Sequence, residues 1–202
     1  MLIACKTQKN ATPEIGDFNY TVDKFADIQI LRYRVPGFET LSLGQKEMIY
    51  YLSQAAIEGR DILFDQNNKH NLTIRRATEA IYLNYNGNKS NADYLALELY
   101  LKRIWMANGM HHHFSEDKIL PTFDKQFFAN QLQQIEAAKL PLLPNETVDA
   151  FISRITPIMF DPLLYPKRTN QAAGQDLVTT SSNNFYEGVT QQEVEEFYNR
   201  MK

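Results

Sequence analysis

The 202-residue chain predicts a mostly helical α+β fold with a small β component. Three observations lead there. Apolar residues recur at steps of three and four through several long segments. Helix-opening residues stand just before those segments. Strand signals are confined to two short stretches, an alternation from Asp27 and a Val- and Thr-containing run from Asp176. The clearest helical stripe is Tyr94, Leu97, Leu101, Ile104 and Trp105, at steps of three, four, three and one.

Residues 1 to 17 show no periodicity and read as a disordered lead, leaving 18 to 202 as the folded part. DIQILRYRV, from Asp27, alternates as a strand that Pro36-Gly37 ends. Ile28 and Ile30 take one face and Leu31, Tyr33 and Val35 the other, so packing on both sides is expected. Ser42 and Gln45 form a capping-box pattern for a first long helix. Its inward stripe is expected to be Met48, Tyr51, Leu52, Ala55 and Ala56. Gly59 weakens it, and Ile62 and Leu63 extend the apolar pattern. Asn71 or Thr73 caps the next helix, with Ile74, Ala77, Ile81 and Tyr85 at helical spacing and Asn86-Gly87-Asn88 at its end. Asn91 caps the helix of the clearest stripe, which stops at Gly109.

A further helix is predicted from Asp124 to Ala138 through Phe127, Phe128, Leu132 and Ile135, broken by Pro141 and Pro144. Another runs from Asn145 to Pro157 with Val148, Ile152 and Ile155 inward. FDPLLYPKRTNQAAGQ reads as loop, and DLVTT as a short strand by its Val and Thr content. Thr190 and Glu193 form a second capping box, and the last helix sets Val194, Phe197, Tyr198 and Met201 on one side. With that stripe running to the final residues, a partner surface further along the polypeptide is expected.

Composition excludes several function classes. Hydrophobic residues make up 44% and charged residues 22%, the range of a globular protein. Net charge is −3 with acids and bases interspersed, so no basic field points to nucleic acid. No apolar run is long enough to span a membrane. The single cysteine, Cys5, allows no internal disulfide. Leu2-Ile3-Ala4-Cys5 has the form of a lipobox, which would lipidate Cys5 and tether the protein to the cell envelope through KTQKNATPEIGD. Against this, no charged and apolar leader precedes it, and a cytoplasmic chain with a chance match is the alternative.

His111, His112 and His113 invite a metal reading. Consecutive loop residues point in different directions, however, and no cysteine or well-spaced carboxylate completes a set. No metal ligand is therefore assigned. Arg75-Arg76 and Lys167-Arg168 read as solvated basic pairs. Ser181-Ser182 lacks a nucleophile context, and no phosphate loop or dinucleotide fingerprint is present. No catalytic residue is assigned.

Trp105, Gly109, Phe114 and the run Asp117-Lys118-Ile119-Leu120-Pro121 form a pattern: an aromatic, a glycine, a phenylalanine, then acidic-Lys-apolar-apolar-Pro. With Tyr51 to Ala56 and Asp176 to Tyr198, it resembles the N-terminal part of the dipeptidyl peptidase III family of zinc exopeptidases, most closely its bacterial, Bacteroides-type branch. The resemblance spans roughly residues 20 to 202 and rests on the order of segments. It implies a portion of the lower, substrate-binding lobe of a two-lobed peptidase that removes dipeptides from oligopeptide N-termini. It implies that Phe114 contacts the N-terminal residues of the peptide and that His113 faces the cleft. Asn184, in a strand-to-turn segment, could bond the substrate backbone, although turn formation is the readier explanation. The family's His-Glu-x-x-Gly-His zinc motif is missing here. Zinc and its ligands would then belong to the remainder of the same polypeptide, and this chain alone would be inactive. The alternative is a non-catalytic, lipid-anchored binding module.

Overall fold

In the computed structural model, residues 18–202 are described. The lead at 1–17, and Cys5 with it, lies outside them. The described residues form a mostly helical α+β protein in two compact units, one ending at Ser42 and the other running from Leu43 to Lys202.

The first unit is a β-hairpin. β1 (Thr21–Phe25) pairs antiparallel with β2 (Ile28–Leu31), Phe25 opposite Ile28, and Ala26 takes a positive φ of 48° in the two-residue turn. The expected strand is thus shorter than DIQILRYRV, and its partner strand TVDKF is a finding of the structure. Val22 and Asp23 stand where the register slips, and Val22, Lys24 and Phe25 do not alternate cleanly enough to read as a strand. Among the described residues the second face finds no cover: Leu31, Tyr33 and Val35 are all exposed.

The second unit holds seven helices: α1 (Leu43–Glu58), α2 (Arg60–Asn67), α3 (Asn71–Asn84), α4 (Ala92–Ala107), α5 (Lys125–Gln133), α6 (Val148–Phe160) and α7 (Gln191–Arg200). Its core is built where α3 packs on α2, α4 and α5, and α5 packs on α6. Ile74, Ala77 and Ile81 of α3 meet Leu97, Tyr100 and Ile104 of α4, Phe128 and Leu132 of α5, and Phe151, Ile155 and Met159 of α6. Phe123, Phe128 and Phe160 form an aromatic triangle with centroids 5.5–6.0 Å apart, a spacing at which ring quadrupoles attract.

Local chemistry sets the boundaries. Asn91 accepts the amides of Asp93 and Tyr94 (2.8 and 3.2 Å) and caps α4. Asn91→Ala is expected to cost about 1 kcal/mol in urea denaturation, and an unchanged midpoint would remove the cap from the fold's determinants. Asp124 caps α5 in the same way. Thr190 and Glu193 close a reciprocal capping box on α7. Helix α4 ends one residue earlier than expected, at Ala107. Asn108 takes the left-handed turn (φ 53°) and Gly109 follows at φ 146°.

Other expectations are corrected. Asn71 does not cap α3, because its side chain is buried and bonded elsewhere. Helix α5 stops at Gln133, and residues 137–139 form one 3₁₀ turn. Helix α6 begins at Val148, capped by Thr147, and continues through Pro157 to Phe160; proline so near the end costs only the hydrogen bond to Ser153. DLVTT is a turn, not a strand. The Asp176 carboxylate accepts the amides of Val178 and Thr179 (2.9 Å each), and that local satisfaction competes with pairing. On α1 no residue is buried, so the expected inward stripe at Met48, Tyr51 and Leu52 faces outward.

Candidate functional site

The loop after α4 folds back on itself. His111 bridges Lys118, the Ile119 amide donates to the Met110 carbonyl (2.8 Å), and the His112 amide donates to the Asp117 carbonyl (2.7 Å). At the tip, His112 Nδ1 accepts the amides of Phe114 and Ser115 (3.2 and 3.1 Å). This ties down the residues that would otherwise be loosest. Phe114 is 86% exposed on that tip.

A second segment is stitched to the loop. The Lys118 amide donates to the Pro166 carbonyl (3.0 Å) and the Arg168 amide to the Glu116 carbonyl (2.9 Å). A third segment joins behind it, the Ser182 amide donating to the carbonyls of Lys167 and Arg168 (3.0 Å each). The Asn184 amide then donates to the Gln66 carbonyl at the end of α2 (2.8 Å). Backbone bonds thus run from 112–118 through 166–168 to 182–184 and on to α2.

Charge reinforces the stitching. The Arg168 guanidinium grips both Glu116 oxygens, Nε to Oε2 at 2.6 Å. Lys167 pairs with Asp117 at 2.6 Å. Both carboxyls are held below the ordinary carboxylate range, Glu116 by Arg168 and Asp117 by Lys167. The pair Lys167-Arg168 is therefore not a solvated basic face but the cationic half of a four-residue clamp. Arg75 and Arg76 are likewise engaged, both on Asp61 (2.7 and 3.2 Å).

Beside the tip lies an open groove of about 540 Å³, lined by Phe114, Ser115, Glu116, Lys167 and the stretch from Thr169 to Ala172. Of the residues singled out from the sequence, Phe114 lines this groove. His113 is exposed next to it, its ring 4.5 Å from that of His112. Asn184 lines a separate, smaller concavity of about 100 Å³ with Lys69, Tyr165 and Tyr186. The three are linked through the stitched segments but do not line one cavity.

The imidazoles do not fit a metal. His111 is buried, its Nε2 2.8 Å from the Tyr165 carbonyl oxygen, and His112 Nδ1 is taken by two amides. His70 Nε2 lies 3.0 Å from the Tyr165 hydroxyl. Among the described residues no group of three or more His, Cys, Asp or Glu side chains converges as metal ligands would. Among them, too, no helix is long and apolar enough to cross a membrane.

Sequence reasoning missed Tyr165, Glu116, Arg168 and Lys118 as builders of this site. Tyr165 carries a positive φ of 55° and is hydrogen-bonded to both His70 and His111. Lys118 donates to the carbonyls of Asp161 and Leu164 (2.6 and 2.7 Å) just past α6. The one signal was an acidic pair, Glu116-Asp117, facing a basic pair about fifty residues away. The chain matches no protein-family model and no curated protein.

Proposed function

We propose that this chain is the N-terminal part of a zinc-dependent dipeptidyl peptidase and supplies wall and subsite contacts for an oligopeptide. The observation that carries the reading is Phe114, an aromatic ring held out at the edge of an open groove by a clamped loop. A large apolar ring exposed on a loose loop is unremarkable, whereas one held by Glu116–Arg168, Asp117–Lys167 and three backbone segments is preorganised for an apolar side chain. The order of segments along the chain points the same way. So does α1, whose apolar stripe at Met48, Tyr51 and Leu52 buries nothing, as a helix does when a larger body covers that face.

In this reading Phe114 and His113 face the N-terminal residues of the peptide. Asn184, fixed through its own amide to Gln66 and with its Nδ2 3.5 Å from Asp65 Oδ2, offers its side-chain oxygen to the peptide backbone. The chain carries no catalytic group, and zinc belongs to polypeptide beyond these residues.

The test is hydrolysis of dipeptidyl-arylamides by the full-length gene product and its Phe114→Ala variant. Phe114 is exposed, so the variant is expected to keep its melting temperature. Its KM is expected to rise roughly tenfold with kcat nearly unchanged, a loss of about 1.4 kcal/mol of binding. Unchanged KM and kcat would take Phe114 out of the site. No hydrolysis by the parent protein would leave the lipid-anchored binding module as the reading.

A further inference from the structure

We propose that residues 161–168 form an acid-released clasp on the groove, with His111 as its proton sensor. That opening the clasp changes access for a ligand rests on the function proposed above; the opening itself does not.

Three basic side chains hold this segment. Lys118 donates to the carbonyls of Asp161 and Leu164, His111 to the carbonyl of Tyr165, and His70 meets the Tyr165 hydroxyl. Tyr165 is kept at φ 55°, a conformation that a non-glycine residue holds only when its surroundings over-determine it. Release of the hold therefore favours departure from this geometry. The clasp ends in Lys167 and Arg168, which pair with the loop that carries Phe114.

The chemistry of His111 makes it the sensor. A carbonyl only accepts, so Nε2 carries the proton and Nδ1 is a bare acceptor. The residue is 1% exposed, and among the described residues Nδ1 has no hydrogen-bond partner. A second proton would sit on Nδ1 without an acceptor. The new charge would face the cations of Arg168 and Lys118, with Glu116 the opposing anion already bound to Arg168. Across Tyr165, His70 faces Lys69 and Arg154, whose own partners are Glu187 and Glu146. Asp161, at the start of the clasp, faces Lys118 and accepts the Leu163 amide (2.8 Å), so opening to water is the way for His111 to carry the proton.

The pH window follows. Burial pulls the His111 imidazole down to about 4 from its ordinary 6.5. Below pH 6.5 the open form takes up a proton that the closed form resists, so closure is fully favoured above 6.5 and weakens as pH falls toward 4. Glu116 and Asp117 are held below the ordinary carboxylate range, so in this window the imidazole titrates and their carboxyls do not drive the opening.

Amide hydrogen exchange from pH 7.5 to 4.5, corrected for intrinsic rates, reads the clasp directly. The amides of Lys118, Arg168 and Ser182 are expected to lose protection on the order of 50-fold, while Leu101 and Ile104 in α4 keep theirs. His111→Gln retains a donor for the Tyr165 carbonyl and does not titrate, and it is expected to abolish the change. His70→Asn is expected to retain it. Carbon-detected imidazole titration of the wild type needs no variant and is expected to place His111 well below 6.5. An ordinary His111 titration, an equal loss in His111→Gln, or a loss abolished by His70→Asn alone would each overturn the proposal.

Discussion

Gly109→Ala is expected to lower unfolding free energy by about 2–5 kcal/mol, combining a strained backbone with overpacking. At φ 146°, a Cβ on this residue would stand 2.1 Å from Asn71 Nδ2 and 2.6 Å from Asn71 Cγ. Asn71 has nowhere to go. It is fully buried, its Nδ2 donates to the Phe64 carbonyl (3.1 Å), and its Oδ1 accepts the Met110 amide (3.0 Å). Glycine is thus required by a close approach as well as by torsion. Chemical denaturation measures the loss, and a change under 1 kcal/mol would refute the argument. The double variant with Asn71→Ala should cost less than the sum of the two, because the second change removes the atoms the first collides with.

The second large effect is Phe64→Ala, expected to cost about 3–5 kcal/mol, the range for truncating a buried aromatic. Phe64 is fully buried, with the Arg75 guanidinium 4.6 Å from its ring centroid. Its truncation opens a void and removes the surface that steadies Arg75 against Asp61. The neighbours provide the control. Ile62 and Leu63 are 60% and 49% exposed, and alanine at either should cost under about 1 kcal/mol in the same denaturation experiment. Equal losses at all three positions would mean that α2 is seated differently.

The contrast at α2 shows what the sequence could convey. Periodicity marks which residues share a face, and in α4 that was enough, since Tyr94, Leu97, Leu101 and Ile104 all point into the core. Caps were legible for the same reason: Asn91, Thr190 and Glu193 act on amides two or three residues away. Whether a face finds a partner is a tertiary fact. The α1 stripe was sound as a pattern and is exposed in the fold. Pro157 suggested a stop, but a helix tolerates proline where few bonds remain to lose.

The site was legible only in part. Phe114 stood out because it falls in the segment pattern that carries the family resemblance. The clamp that holds it joins residues about fifty positions apart, and neither half is distinctive alone. The histidine run drew attention to metal chemistry, while its members serve the backbone. His111 fastens Tyr165, and His112 caps the turn beneath Phe114.

The bonds from Gln66 to Asn184 and from Asn68 to Ser182 join positions more than a hundred residues apart. Closing so long a stretch of chain carries an entropic toll that the short connections between α3, α4, α5 and α6 avoid. During refolding the helical body should therefore consolidate early and the groove rim last. A kinetic intermediate with native helix content but an untethered Phe114 hairpin is the natural waypoint, and the rim is the first region that heat or denaturant should peel away.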